Sequence, residues 1–235
     1  MFTLRNGSTT EDSRLTRIEE FDIRSRKYGV RSIIGTDIPI TKNYFCDRHL
    51  NQGQEGACVG AGITHELISE PVPVRGLDMR YARENIYWQA QKEDDWEGGS
   101  YPDADPFYEG TSVLAGVKVA HKLGWFDNYY WCFGLEDLIL GVGCRGPAVL
   151  GLAWYRGMHN IDENGYIYPS GQLSGGHCIL CKGVNITHER FILHNSWGKH
   201  WGLGGDCYVS FDDMDFLLHQ KGEAVIFIDR KLARI

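Results

Sequence analysis

The chain has 235 residues, of which 43% are hydrophobic and 23% charged, enough to bury one sizeable core or two half-cores facing each other. Its formal net charge of −7 argues against a general nucleic-acid or anionic-membrane binder, since both need a basic face. No uninterrupted apolar run is long enough to span a bilayer.

The opening segment "MFTLRNGSTTEDSRLTRIEE" lacks the apolar stretch of a secretory leader. Seven cysteines (46, 58, 132, 144, 178, 181 and 207) make an odd set, which without an export signal predicts mostly reduced thiols and a cytoplasmic location. Residues 1–40 are charged and weakly patterned. They read as an arm laid over a domain that occupies 41–235.

Next comes a turn dense in glycine, "NQGQEGACVGAG", residues 51–62. It leads into "CVGAGITHELISE", expected to be a helix that begins near Cys58 and is stopped by the "PVP" at 71–73. "LDMRYARENIYWQAQKE" carries Leu77, Tyr81, Ile86, Tyr87 and Ala90 at helical spacing and is a second helix. The acidic, Gly/Pro-punctuated "DDWEGGSYPDADPFYEG" is most simply a solvated connection. It also motivates a weaker expectation, a preference for basic substrate residues. "TSVLAGVKVAHKLG" is a third helix, with Thr111 or Ser112 as N-cap and Gly124 as its stop.

Past Gly146 the pattern changes to short β-rich segments: "PAVLGLAWY", "GYIYP", "HCILCKGVN", "RFILHNSW", "DCYVSF" and "EAVIFI". Helices first and strands second predict an α+β fold with a helical left lobe, about 41–140, and an antiparallel β-rich right lobe, about 141–235. A cleft between two such lobes is a common place for a site. Trp96, Trp125, Trp131 and Trp154 are expected to pack in the core or between lobes.

A thiol is a good nucleophile only as thiolate, a form favoured by a helix N-terminus and a neighbouring imidazolium. Cys58 stands where the first helix should begin. His177 follows two glycines and opens an apolar strand, and Asn195 comes 195 − 177 = 18 residues later, at the end of the next strand. A hairpin would set them side by side, with Asn195 accepting the imidazole N–H and Trp197 covering that bond from water.

Other histidines are weaker candidates for a base. His194 should face away from its neighbour Asn195, His200 lies in a turn, and His65 sits about two helical turns past Cys58 in a surface or packing position. Cys178 and Cys181 form a C-x-x-C, but residues three apart on a strand face opposite ways, so no metal site is expected there.

Three blocks of this sequence resemble the papain-like cysteine peptidases. They are "QGQEGAC", "GGHCILCKGVN" and "NSWGKHWGLGGDCYVS", in the family's order, and the likeness extends over roughly residues 44–228. The segments "YEGTSVLAGVKVAHKLGW", "RGPAVLGLAWYRGM" and "FDDMDFLLHQKGEAVIF" are most similar to the compact bacterial and bacteriophage branch. The resemblance implies Cys58 as nucleophile, His177 as general base and acid, and Asn195 as the residue that orients His177. It implies Gln52, with the backbone N–H of Cys58, as the oxyanion hole. It implies a protein or peptide substrate, and neither metal nor organic cofactor.

The chain departs from the family pattern at Val59, where an aromatic is usual, and at Glu55, where secreted members carry a disulfide-forming cysteine. The separations 177 − 58 = 119 and 195 − 58 = 137 point to trimmed loops, against about 130–150 in the general pattern. The arm is too short for the usual inhibitory prodomain but long enough to lie across the cleft. Two other readings stay open. One is a catalytically idle papain-like module serving as a structural or interaction subunit, as in a phage particle, which would make the chain virion-associated. The other is an amidase acting on cell-wall peptides.

Overall fold

A computed structural model of the protein describes residues 1–232. The helix expected after the glycine turn spans Cys58–Leu67, and every one of its residues is buried. Met79–Tyr81 opens the second helix, capped by the Asp78 carboxylate. It continues through a π-helical Ala82–Tyr87 into Trp88–Glu93. The third spans Val113–Lys122. Ser112 is its cap, accepting the N–H of Ala115, and Gly124 follows at φ +80°.

Seven strands form one antiparallel sheet. Six of them run in the order Phe126–Trp131, Glu223–Arg230, Ala148–Tyr155, Leu173–Asn185, Arg190–His194, Asp206–Ser210, and Lys42–Asn43 pairs with Leu173–Asn185. Side-chain alternation along these strands divides the core. Val149, Cys178, Leu180, Val225 and Phe227 face the three helices, with Ile63, Leu67, Ile86 and Val117. Leu150, Leu152, Trp154, Ile179 and Cys181 face the other side, with Phe191, Leu193, Val209 and Met214. The fold is therefore α+β, with the Cys58–Leu67 helix laid against the sheet.

The split between a helical and a β-rich half is less clean than the sequence suggests. Phe126–Trp131 is a strand of the main sheet, and two helices, Leu135–Cys144 and Phe211–His219, lie within or beside the β-rich part. "GYIYP" forms only a single bridge, Tyr166 to Tyr208. Its loop is held by the Asp162 carboxylate, which accepts the N–H groups of Asn164 and Tyr166.

The acidic connection is not wholly solvated. Asp94 is buried against the Arg5 guanidinium at 2.7 Å, with side chains 0% and 1% exposed, and it also accepts the Thr111 hydroxyl. A cation delivered by the arm is what draws this carboxylate inward. Arg5 also donates to the carbonyls of Gln91 and Trp96, which ties the start of the arm to the helical layer.

Candidate active site

The strand Leu173–Asn185 and the strand Arg190–His194 are antiparallel neighbours, with Leu180 opposite His194. That pairing carries Asn195 to His177. The imidazole Nε2 stands 2.8 Å from Asn195 Oδ1, which also accepts the N–H of Ser196 at 2.8 Å. An oxygen receiving two donors fixes the proton on Nε2 and leaves Nδ1 with a lone pair whenever the ring is neutral. Among the described residues Nδ1 has no hydrogen-bond partner. Trp154 and Trp197 flank the ring at centroid distances of 4.7 and 5.1 Å, and Trp197 is 8% exposed. Both indoles therefore pack against the His177 ring.

Cys58 is the first residue of its helix, and its thiol is fully buried. Gln52, six residues earlier, is fixed from both sides. Its amide N–H donates to the Ser196 carbonyl at 2.9 Å, and its side-chain Oε1 accepts the Ser196 hydroxyl at 2.6 Å. This leaves Nε2 as the donating end, directed at the carbonyls of Glu55 at 2.7 Å and Arg14 at 3.3 Å. Ser196 therefore holds the Gln52 side chain, and it is not among the candidates the sequence suggests. Its place beside Asn195 was the available signal.

The arm runs through the site. Thr16 forms a parallel bridge with Gly176, Arg17 forms one with Thr111, and the Arg17 amide donates to the Gly176 carbonyl at 3.0 Å. The Thr16 hydroxyl donates to the Gly56 carbonyl at 2.5 Å and lies 3.9 Å from Cys58 Sγ. Leu15 is fully buried beside Gly175, and the Arg14 guanidinium lies 3.9 Å above the Trp197 ring. A side chain at Gly176 would put its Cβ 2.2 Å from the Arg17 carbonyl oxygen, so only glycine admits a backbone this close to His177.

Burial sets the protonation of the pair. Burial pushes the Cys58 thiol up, against the opposing effect of backbone N–H groups, Thr16 among them. Burial also pushes His177 down to about 4, partly offset by Asn195, with the Arg14 charge adding to the drop. Both groups are therefore neutral at pH 7, and no hydrogen bond joins Sγ to the ring among the described residues. Burial of both groups disfavours a thiolate–imidazolium pair in this closed arrangement.

The two departures from the family pattern have local explanations. Val59 packs against Gly116 of the Val113–Lys122 helix so closely that a Cβ there would fall 2.8 Å from Val59 Cγ1. Position 59 is small because two helices touch there. Glu55 pairs with Arg83 at 2.5 Å, and all seven cysteines are free. Cys178 and Cys181 lie on opposite faces of the sheet, in different core clusters.

His194 points away from the site, as expected of a strand neighbour of Asn195. Its Nδ1 faces Asp206 at 2.5 Å and its Nε2 faces the Arg48 carbonyl at 3.1 Å, so both nitrogens meet acceptors and the ring carries two protons. Burial opposes this charge, but hydrogen bonds to Asp206 and Cys46 outweigh it and raise the imidazole to about 9. His65 packs edge-on against His194, is held neutral by burial, and accepts the N–H of Leu50, so it supports the turn that carries Gln52. His200 is exposed in its turn.

A group raised on folding stabilises fully below its unfolded value, near 6.5, and that contribution is lost as pH climbs through about 9. A proton NMR titration is expected to show His194 charged beyond pH 8, with urea stability falling as pH rises across that window. A midpoint at or below 6.5 contradicts this, and Asp206→Asn is expected to move the midpoint down.

No protein-family model matches the sequence, and no curated protein matches it. Solved structures do. Xylellain, a cysteine protease from Xylella fastidiosa, is 18% identical with a TM-score of 0.68, over 95% of this chain and 99% of that one. Digestive procathepsin L 3 from the larval midgut of Tenebrio molitor is 13% identical with a TM-score of 0.54, over 96% of this chain and 77% of that one. The proform of Amb a 11, a cysteine protease and ragweed pollen allergen, is 14% identical with a TM-score of 0.54, over 99% of this chain and 69% of that one. At these identities the likeness is one of fold, and the fold is papain-like.

Proposed function

We propose that this papain-like chain is a cysteine peptidase, held closed by its own residues 13–18. The observation that carries the reading is the His177 Nε2–Asn195 Oδ1 bond at 2.8 Å, with Nδ1 left free in the same buried site as Cys58 and Gln52. Such an arrangement prepares one nitrogen to take a proton and one fixed amide to donate to an oxyanion.

With the arm displaced, Nδ1 of His177 takes the thiol proton and Cys58 Sγ bonds to the carbonyl carbon of a peptide. The oxyanion is held by Gln52 Nε2 and the Cys58 amide. The C–N bond then breaks, His177 gives its proton to the leaving amine, and a thioester remains. His177 next takes a proton from water, hydroxide attacks the thioester, the C–S bond breaks to release the acid, and His177 returns its proton to Sγ to restore the thiol. None of these steps calls on a metal or an organic cofactor. Among the described residues no helix is long and apolar enough to cross a membrane.

The test is hydrolysis of a mixed peptide library, run beside a cell-wall digest, by a chain whose arm has been loosened. Library cleavage that disappears in Cys58→Ala is expected. Cleavage confined to cell-wall amides would reassign the substrate, and no cleavage of either would leave an idle module.

A further inference from the structure

Gln52 ends a short stretch, residues 48–52, that is gripped at every second residue. The Gln52 amide donates to the Ser196 carbonyl at 2.9 Å, and the Gly198 amide donates to the Leu50 carbonyl at 3.2 Å. Two imidazoles outside the catalytic site hold the other end. His65 Nε2 accepts the Leu50 N–H at 3.1 Å, and His194 Nε2 lies 3.1 Å from the Arg48 carbonyl. Both rings are fully buried, and they meet edge to face with centroids 4.5 Å apart. His65 comes from the helix that begins at Cys58, and His194 from the strand that ends one residue before Asn195.

The two rings cannot exchange roles. His65 keeps a lone pair on Nε2 for the Leu50 amide, whereas His194 meets an acceptor at each nitrogen, Asp206 at Nδ1 and the Arg48 carbonyl at Nε2. A neutral ring at 194 has one N–H and would satisfy only one of them. Asp206 lies directly opposite His194 in the sheet and is itself paired with Lys182 at 2.7 Å. The other groups facing His194 are the His49 ring, 4.9 Å away between centroids, and the Cys46 thiol, which donates to the same Arg48 carbonyl at 3.5 Å. Apolar residues often replace a buried ion pair without loss of stability. What they could not do here is donate to the carbonyl of Arg48.

We propose that His194, with Asp206 behind it, is a positioning residue for the oxyanion donor: it fixes the Arg48 end of the stretch and acts on the reaction through Gln52 Nε2. The inference rests on the peptidase reading above, in which Gln52 is that donor.

The experiment uses the full chain carrying Thr16→Asp and two reagents for Cys58. A peptide ester develops an oxyanion when attacked and calls on Gln52, whereas iodoacetamide is attacked at a methylene carbon and does not. His194→Gln is expected to lower kcat for the ester about 10-fold, with KM and the iodoacetamide rate each within about twofold. His194→Lys, a cation with three donors, is expected to restore most of that kcat. In a chain already carrying Gln52→Ala, His194→Gln is expected to cost less than about twofold more, because nothing is left to position. Asp206→Asn repeats the measurement from the other side of the ring.

A loss of kcat that is undiminished beside Gln52→Ala, a matching fall in iodoacetamide labelling, or no loss at all overturns the positioning role and leaves the peptidase reading standing. Loss of the folded circular dichroism spectrum in all three variants does the same, since the pair would then hold the fold and not the donor. A Thr16→Asp parent that is alkylated at Cys58 yet turns over no ester overturns the peptidase reading, and the positioning role with it.

Discussion

Thr16→Asp in the full-length chain is expected to raise the rate at which iodoacetamide alkylates Cys58 on the order of 100-fold at pH 7. The wild-type hydroxyl donates to the Gly56 carbonyl, and such a bond contributes about 1 kcal/mol. A carboxylate there would face that carbonyl instead. It would also lie close to Glu109, since a Cβ at Gly56 would fall 2.8 Å from both Thr16 Oγ1 and Glu109 Oε2. Among the described residues Glu109 Oε2 is buried without a hydrogen-bond partner, so two carboxylates would crowd one pocket. Taking about 2 kcal/mol for that repulsion, the total near 3 kcal/mol shifts the open fraction by roughly two powers of ten. Cys144, the only one of the seven thiols that is not buried, serves as the internal reference. A Cys58 rate within twofold of wild type, in a chain still folded by circular dichroism, would contradict the closing role of the arm.

The second large effect separates the proposed base from the proposed oxyanion donor. In the Thr16→Asp background, His177→Ala is expected to lower peptide hydrolysis by about 10⁴- to 10⁶-fold, because a nucleophile without its base loses most of what the pair supplies. Gln52→Ala is expected to cost about 10²- to 10³-fold in kcat with little change in KM, as its donor acts on charge that develops in the transition state. Steady-state kinetics on one fluorogenic peptide distinguishes them. Equal losses from the two substitutions would mean that Gln52 does more than donate, through the turn it holds against Ser196.

Much of the site was legible because its signals are local. Cys58 begins a helix because a glycine turn precedes it, and Ser112 caps the third helix because its hydroxyl reaches the Ala115 amide. The hairpin joining His177 to Asn195 follows from two apolar strands separated by a short turn. The missed elements lack such signals. Phe126–Trp131 shows no clean alternation, with exposed Asp127 and Asn128 next to each other, and it is a strand because Glu223–Arg230 pairs with it. Leu135–Cys144 contains two glycines and is held from outside, by Arg31 on Asp137 and by Ile226 packed where a Gly141 side chain would lie.

The arm was legible only as a segment long enough to lie across the cleft. Nothing in "DSRLTRIEE" announces which residues enter it, because Leu15, Thr16 and Arg17 each take their place from residues far along the chain. The arm lies beside a thiol and an imidazole that burial keeps neutral.

The central claim is that Cys58 becomes the nucleophile of a peptidase once the arm is displaced. The most direct measurement is intact-protein mass spectrometry of the Thr16→Asp chain, quenched in acid during turnover of a peptide ester. The account predicts an acyl adduct on Cys58, absent in Cys58→Ala and lost again as substrate is consumed. Turnover that survives Cys58→Ala, or an adduct on any of the other six thiols in its place, would contradict it.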